Sequence, residues 1–273
     1  MRAWLLVLPL LAYLGIFLLY PMAEALQLAF RDSISGEFPS LGSFRTLAED
    51  DLFWRALRIN VGLPLVAVAL ELLAGLALAL LLAERLPARR WLRAAVLLPF
   101  ALPEIVFLTI MRNVLTPRGY LNGLLVAVGG DPVEVLAPGS VLSIATVAFV
   151  DAWRTTPIVF LILLSALVAL PTDLGQAARV DGARAWSRFW HITLPLLRPA
   201  ILVALLLRGL DALRVFAVPL VLTGVEGVPV LSTYAYHQWA DYGDDGAAAA
   251  ASVVLALLCL VASVPLLRRQ ETT

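Results

Sequence analysis

Lysine is absent from this chain, and every one of its 20 basic residues is arginine. We assign no function to that bias. Cysteine is nearly absent as well. The single Cys259 excludes an internal disulfide and a cysteine-based zinc site. Only two histidines occur, His191 and His237, and they are far apart in sequence. Neither a paired-histidine metal motif nor a G-x-S-x-G elbow is present, and the acids have no convincing catalytic spacing. Charge is scarce, at 15% of residues, and it balances to zero, so there is no basic field for nucleic acid. No alternation of the kind a β-barrel needs is visible, and no repeat of 20–50 residues stands out.

What the chain has instead is apolar residues. They make up 61% of its 273 positions, and the mean hydropathy is +0.91. Soluble domains are much less apolar. A bilayer core needs roughly 20 predominantly apolar residues per helix. Six such runs predict spans at about 3–29, 60–83, 95–115, 141–166, 199–222 and 246–267. The first run is too long for a signal-peptide core and lacks a small-residue cleavage site, so it reads as an uncleaved span. Pro9, Pro21, Pro64, Pro99, Pro103, Pro157 and Pro219 lie in or near the spans. Membrane helices accommodate them because neighbouring helices and waters satisfy the freed carbonyls. The prediction is an all-α integral membrane protein, one domain over residues 1–273.

Orientation follows from arginine. With both termini in the cytoplasm, the inner side holds Arg2, Arg85, Arg89, Arg90, Arg93, Arg179, Arg184, Arg188, Arg198, Arg268 and Arg269. The outer loops hold Arg31, Arg45, Arg55, Arg58, Arg112 and Arg118. Eleven against six satisfies the positive-inside rule.

One inner loop, about 171–197, is too polar and too broken to span. Asp173 is a candidate N-cap, with Gln176 three residues on. Gly182 is suited to close a first helix in the left-handed conformation. A second helix is expected from Ala183 to about Ile192, with Leu194-Pro195 and Pro199 turning the chain back to the bilayer. Leu174, Ala177 and Ala178 share one small face; Ala185, Phe189 and Ile192 share another. Two readings are open: a connector lying among lipid headgroups, or a unit docking into a groove of a partner protein.

Ionisable residues at bilayer depth are functional candidates by default. Here they are Glu71, Glu104, Asp151, Arg154, Arg208, Asp211 and Arg214. Asp151–Arg154, Arg208–Asp211 and Asp211–Arg214 are each three apart, which suits intrahelical ion pairs. The other reading is a polar wall for a hydroxyl-rich solute. In it Asn113, Asp151 and Asp211 line the path, and Trp153 and Phe216 supply stacking surfaces. Glu104, after Pro103, marks a gate or a subunit interface, and Glu71 faces a neighbouring helix. The run "EDDLFW" at 49–54 reads as a surface turn entering an amphipathic helix.

The run "QAARVDGA…F…ITLP" resembles the EAA motif of ABC importer permeases. "LGSFRTL…DDLFWRALRINV", "RRWLRAAVLLPFALPEIV" and "WRTTPIVFLILLSALVALP" resemble the corresponding regions of the carbohydrate-uptake branch, its maltose, trehalose and glycerol-phosphate type systems. The likeness covers nearly the whole chain and is to the first of the two permeases in such systems. It implies a type I importer permease fold of six transmembrane helices with a cytoplasmic coupling-helix loop. Gln176, Ala177, Ala178, Asp181, Gly182, Ala183 and Phe189 would contact a cytoplasmic ATPase. It further implies a second homologous permease as heterodimer partner, two ATPase subunits carrying ATP and Mg, and an extracytoplasmic solute-binding protein. The membrane would be the cytoplasmic (inner) membrane of a bacterium or archaeon. The chain would be a transport subunit rather than an enzyme and would bind no cofactor; no G-x-x-x-x-G-K-[ST] stretch is present. A sugar, favouring a disaccharide such as trehalose or maltose, is the implied solute. Glycerol-phosphate or another non-sugar, and an ion-coupled secondary transporter, are the alternatives. The sequence departs from the family pattern at Gln176, where the family has Glu, at Ala217, at Val225-Glu226-Gly227 and at Met111-Arg112.

Overall fold

In the computed structural model, residues 3–32, 35–84, 87–171, 178, 180 and 182–270 are described. All regular structure among them is helical. Helix α1 (Ala3–Leu14) runs through a π-helical turn (Gly15–Leu19) into α2 (Tyr20–Ala29). Next come α3 (Gly42–Glu49), α4 (Asp51–Ala83), α5 (Arg89–Ala101), α6 (Glu104–Leu115), α7 (Tyr120–Ala127) and α8 (Val141–Ala169). The chain closes with α9 (Ala185–Arg188), α10 (Leu194–Leu213), α11 (Ala217–Gly227), α12 (Leu231–Ala240) and α13 (Asp245–Gln270). Among the described residues, four helical stretches are long and apolar enough to cross a membrane: Val7–Ala29, Asp51–Ala83, Val141–Ala169 and Asp245–Val264.

The other two expected spans are broken. The third, expected at 95–115, bends by 93° between α5 and the helical stretch Glu104–Ala127. The cause is local. Leu102 precedes Pro103 and is held extended, at φ −78° and ψ 142°. The fifth, expected at 199–222, ends as a helix at Leu213 and resumes at Ala217. Its first half carries Arg198, Arg208 and Asp211 within 20 residues. Pro64 and Pro157, in contrast, sit inside continuous helices.

Helix α4 begins nine residues before the expected span. Asp50 caps it, accepting from the Leu52 amide at 2.8 Å, so "EDDLFW" is a helix entry. The turn expected at Leu194-Pro195 does not occur. A π-helical turn (Phe189–Thr193) leads directly into α10, and Leu194 N bonds to Phe189 O. The wider register brings the chain past Pro195 without a break, because proline's missing amide is tolerated in the first turn of a helix.

The core is built around α4 and α8, which run in the same chain direction. They approach closely at Gly75. A Cβ there would lie 2.8 Å from Val159 Cγ1 and 3.1 Å from the Phe160 amide nitrogen. Ala247, Ala250 and Ala251, near the start of α13, are buried among Phe53, Leu231 and Tyr234, so the alanine run does serve close packing. Gly75→Leu is therefore expected to push α8 off α4 and cost about 1–3 kcal/mol. Thermal unfolding of the purified protein checks this, and an unchanged midpoint would remove the close-approach argument.

Candidate functional site: a buried ionic network at mid-span

One turn from that close approach lies a cluster of charge. Glu71 is four residues before Gly75 on α4, and Thr155 is four before Val159 on α8. At helical spacing each shares a face with its partner. Asp151 lies one further turn back on α8. Arg208 and Asp211 reach in from α10.

The geometry is specific. Arg208 Nε donates to Glu71 Oε2 at 2.7 Å, and Nη2 donates to Glu71 Oε1 at 2.9 Å, a two-point clamp on one carboxylate. Nη2 is also 3.0 Å from Thr155 Oγ1 and 3.5 Å from Asp151 Oδ2. The Thr155 hydroxyl lies 2.9 Å from Glu71 Oε1 and 2.7 Å from Asp151 O. Nη1 reaches Asp211 Oδ2. Glu71, Asp151, Thr155 and Arg208 are buried, whereas the Asp211 side chain is 59% exposed. Buried charges are tolerated only when paired and hydrogen-bonded, and the clamp meets that condition for Glu71. Asp151 Oδ2 does not meet it, being buried without a hydrogen-bond partner.

Among the intrahelical pairs that spacing favours, Arg208–Asp211 forms. Arg154 instead reaches across to Glu104 Oε1 at 3.0 Å, tying α8 to the first turn of α6. Arg214 donates to Leu210 O at 3.3 Å. Glu71 faces neighbouring helices, as read from the sequence.

The structure brings Asp151 and Asp211 together on Arg208 but leaves the other path candidates apart. Trp153 is two residues from Asp151, about 200° around the helix. It packs on Phe107 and Phe149 and lines an apolar groove between α4, α5 and α8. Phe216 lies beyond the break after α10, edge-on to Tyr236 with ring centroids 5.6 Å apart. Asn113 sits near the end of α6, by a cavity with Thr116 and Tyr120. In the loop of about 171–197, Gly182 has φ +78°, and the Ala183 amide bonds to Ala178 O at 2.9 Å. That six-to-one bond around a left-handed glycine is the helix closure expected there. Ala183 and Phe189 follow it, with Phe189 opening the π turn. Asp173, Leu174, Gln176, Ala177, Arg179 and Asp181 lie outside the described residues.

Sequence reasoning missed Asn60 and Thr155. Asn60, buried on α4, braces the broken fifth span. Its Nδ2 donates to Leu213 O at 3.0 Å, and its Oδ1 accepts from the Leu231 amide at 3.0 Å. These are orphan groups of two helix ends, the last carbonyl of α10 and the first amide of α12. Two more contacts hold this region to the Asp51 end of α4. Arg55 Nη2 donates to Gly227 O at 3.1 Å, and the Tyr234 hydroxyl donates to Asp50 Oδ2 at 2.6 Å. Burial, then the bond to Asp50, pushes the Tyr234 phenol well above its ordinary value, so it remains a neutral donor. Asn60→Leu orphans both backbone groups at about 1–3 kcal/mol each. We expect a lowered unfolding midpoint for Asn60→Leu and partial recovery in Asn60→Asp, which keeps the acceptor. Equal midpoints for all three proteins would end the bracing account.

Among the described residues, no group of three or more His, Cys, Asp or Glu side chains is placed to hold a metal ion. What the helices carry is a polar network fixed at bilayer depth, with one carboxylate exposed. Residues 71–267 match the family described as "Binding-protein-dependent transport system inner membrane component". The chain belongs to that family.

The relatives of this permease agree. It is 36% identical over 268 residues to the trehalose/maltose transport system permease protein MalF of Thermococcus litoralis, covering 93% of this chain and 89% of that one. It is 38% identical over 211 residues to the trehalose transport system permease protein SugA of Mycobacterium tuberculosis, covering 75% and 67%. Its fold matches a chain from a bacterial ABC transporter that imports the acidic polysaccharide alginate. The TM-score is 0.86 at 27% identity, over 99% of this chain and 96% of the other. The protein is thus an all-helical, multi-pass inner-membrane permease of an ABC importer that depends on a binding protein. It is a transport subunit, not a catalyst.

Proposed function

We propose that this permease forms half of the translocation pathway for a sugar, a disaccharide such as trehalose or maltose, delivered by its binding protein. The observation that carries this reading is the 36% identity, sustained over 93% of the chain, to a permease named for trehalose and maltose. The geometry supports it: a fixed carboxylate at bilayer depth accepts hydrogen bonds, which suits a solute whose surface is hydroxyl groups.

In this reading the chain crosses the membrane six times, with both termini cytoplasmic. The bent pair α5–α6 serves as the third span and the interrupted α10–α11 as the fifth. The loop of about 171–197 docks into a cleft of a cytoplasmic ATPase through Gln176, Ala177, Ala178, Asp181, Gly182, Ala183 and Phe189. A second, homologous permease completes the pathway, and two ATPase subunits supply ATP hydrolysis. Closure of those subunits moves the docked loop, and the π turn and α10, which continue it without a break, carry that motion to Arg208.

The test is uptake by proteoliposomes holding both permeases and the ATPase, with the binding protein supplied. ATP-dependent accumulation of labelled trehalose or maltose is expected. Accumulation of glycerol-phosphate alone would refute the sugar assignment. Uptake that persists with an inactive ATPase, driven by an ion gradient, would refute the importer mechanism.

A further inference from the structure

A charged side chain at bilayer depth faces protein or water, since lipid does not tolerate it. Asp211 lies on α10, where the apolar Leu207 is 57% exposed, yet its own carboxylate is 59% exposed. That face of α10 is therefore turned to the aqueous path or to the partner permease where they meet. Behind Asp211 the guanidinium of Arg208 is already committed. Its Nε and Nη2 are spent on Glu71 and Thr155, and Nη1 holds Asp211. Arg208 is 2% exposed, so an anion in the path meets the Asp211 carboxylate before it meets the guanidinium.

The charges do not balance locally. Glu71, Asp151 and Asp211 surround one arginine, and Arg154, the other cation near Asp151, is paired with a fourth carboxylate, Glu104. Asp151 Oδ2, buried and without a hydrogen-bond partner, is a second sign that the cluster holds more carboxylate than the protein neutralises. Arg214, the next cation along the chain, is turned to Leu210 O.

We propose that Asp211, positioned by Arg208, is a selectivity element of the pathway. It accepts hydrogen bonds from an uncharged polyhydroxylated solute, and the surplus negative charge behind it rejects an anionic one. A carboxylate accepts from hydroxyls more strongly than a neutral amide does, and like charges brought together across an interface are strongly disfavoured. The same fold serves an importer of an acidic polysaccharide. The fold therefore leaves the charge of the solute open, and residues inside the span must set it. This inference rests on the sugar reading above and names the side chain that enforces it.

The experiment is solute titration calorimetry on the assembled transporter, both permeases with the ATPase, in nanodiscs and without binding protein. The probes are trehalose and a disaccharide carrying one glucuronic acid unit. The wild type is expected to prefer trehalose by about tenfold or more. Asp211→Asn is expected to weaken trehalose about five- to tenfold, the difference between a charge-assisted and a neutral hydrogen bond. It should also narrow the preference over the acidic sugar. Asp211→Glu should restore that preference, which a merely structural role would not predict. If Asp211→Asn keeps the wild-type preference, or the wild type binds both sugars equally, the selectivity proposal is wrong while the sugar reading stands. A wild type that binds neither sugar overturns both.

Discussion

Replacing Arg208 with methionine is expected to destabilise the permease by about 3–5 kcal/mol, the usual cost of removing one partner from a buried ion pair. The guanidinium pairs with three carboxylates, and Glu71 and Asp151 are buried with it. Without it, Glu71 loses both clamp bonds, at 2.7 and 2.9 Å, and keeps only the Thr155 hydroxyl at 2.9 Å. Replacing Glu71 and Arg208 together with apolar residues should recover only part of the loss, because Asp151 then loses its ion-pair partner and keeps only Arg154, which is engaged with Glu104. Adding Asp151→Asn to that pair should recover more. Such an ordering, read from unfolding midpoints in detergent or nanodiscs, is not what a simple packing defect gives. If Arg208→Met unfolds like the wild type, the network is ornamental. A difference of this size is a large share of the roughly 5–15 kcal/mol that holds a typical domain folded, so low membrane yield of Arg208→Met is also expected.

The second large effect is on coupling rather than stability. Gly182 sits at φ +78°, and among the described residues nothing lies within 4 Å of a Cβ placed there. Space is therefore available, and the obstacle to a side chain is the left-handed backbone. A β-branched residue resists that conformation, whereas asparagine adopts it readily. Gly182→Val is expected to open the bond from Ala183 N to Ala178 O and misdirect the docking helices. Loss of only about 1.4 kcal/mol of docking energy would lower ATPase engagement tenfold. Solute-stimulated ATP hydrolysis should fall by at least that factor while the spans stay inserted. Gly182→Asn should retain coupling. Equal coupling in Gly182→Val and wild type would discard the closure argument, and equal loss in both variants would point to contact with the glycine itself.

Much of the architecture was legible in single residues. Long apolar runs became helices because in lipid a backbone must satisfy its own hydrogen bonds, and only a helix does so within one segment. Gly182 was readable as a helix closure because few other residues take positive φ without strain. The run "EDDLFW" was readable as an entry to a helix, and the structure shows Asp50 as its cap, because an acid before a helix accepts its free amides. The prolines were less legible. Leu102-Pro103 bends the chain by 93°, while Pro64 and Pro157 are absorbed in continuous helices. What distinguishes them is whether packing on neighbouring helices keeps the helical path favourable, a property of the fold.

The sequence alone thus determined the class of protein and where its long apolar helices lie, because these depend on hydropathy and local backbone preference. It did not determine which charges meet. Spacing along one helix suggested Asp151 with Arg154, but Arg154 turns to Glu104 and Arg208 reaches Glu71, 137 positions away. Those pairings depend on how each helix is rotated about its axis. That rotation is set where Gly75 lets α8 approach α4 and where Asn60 ties the end of α10 to the start of α12. Only tertiary packing decides such rotations, because every face of a membrane helix is apolar enough to be buried or exposed.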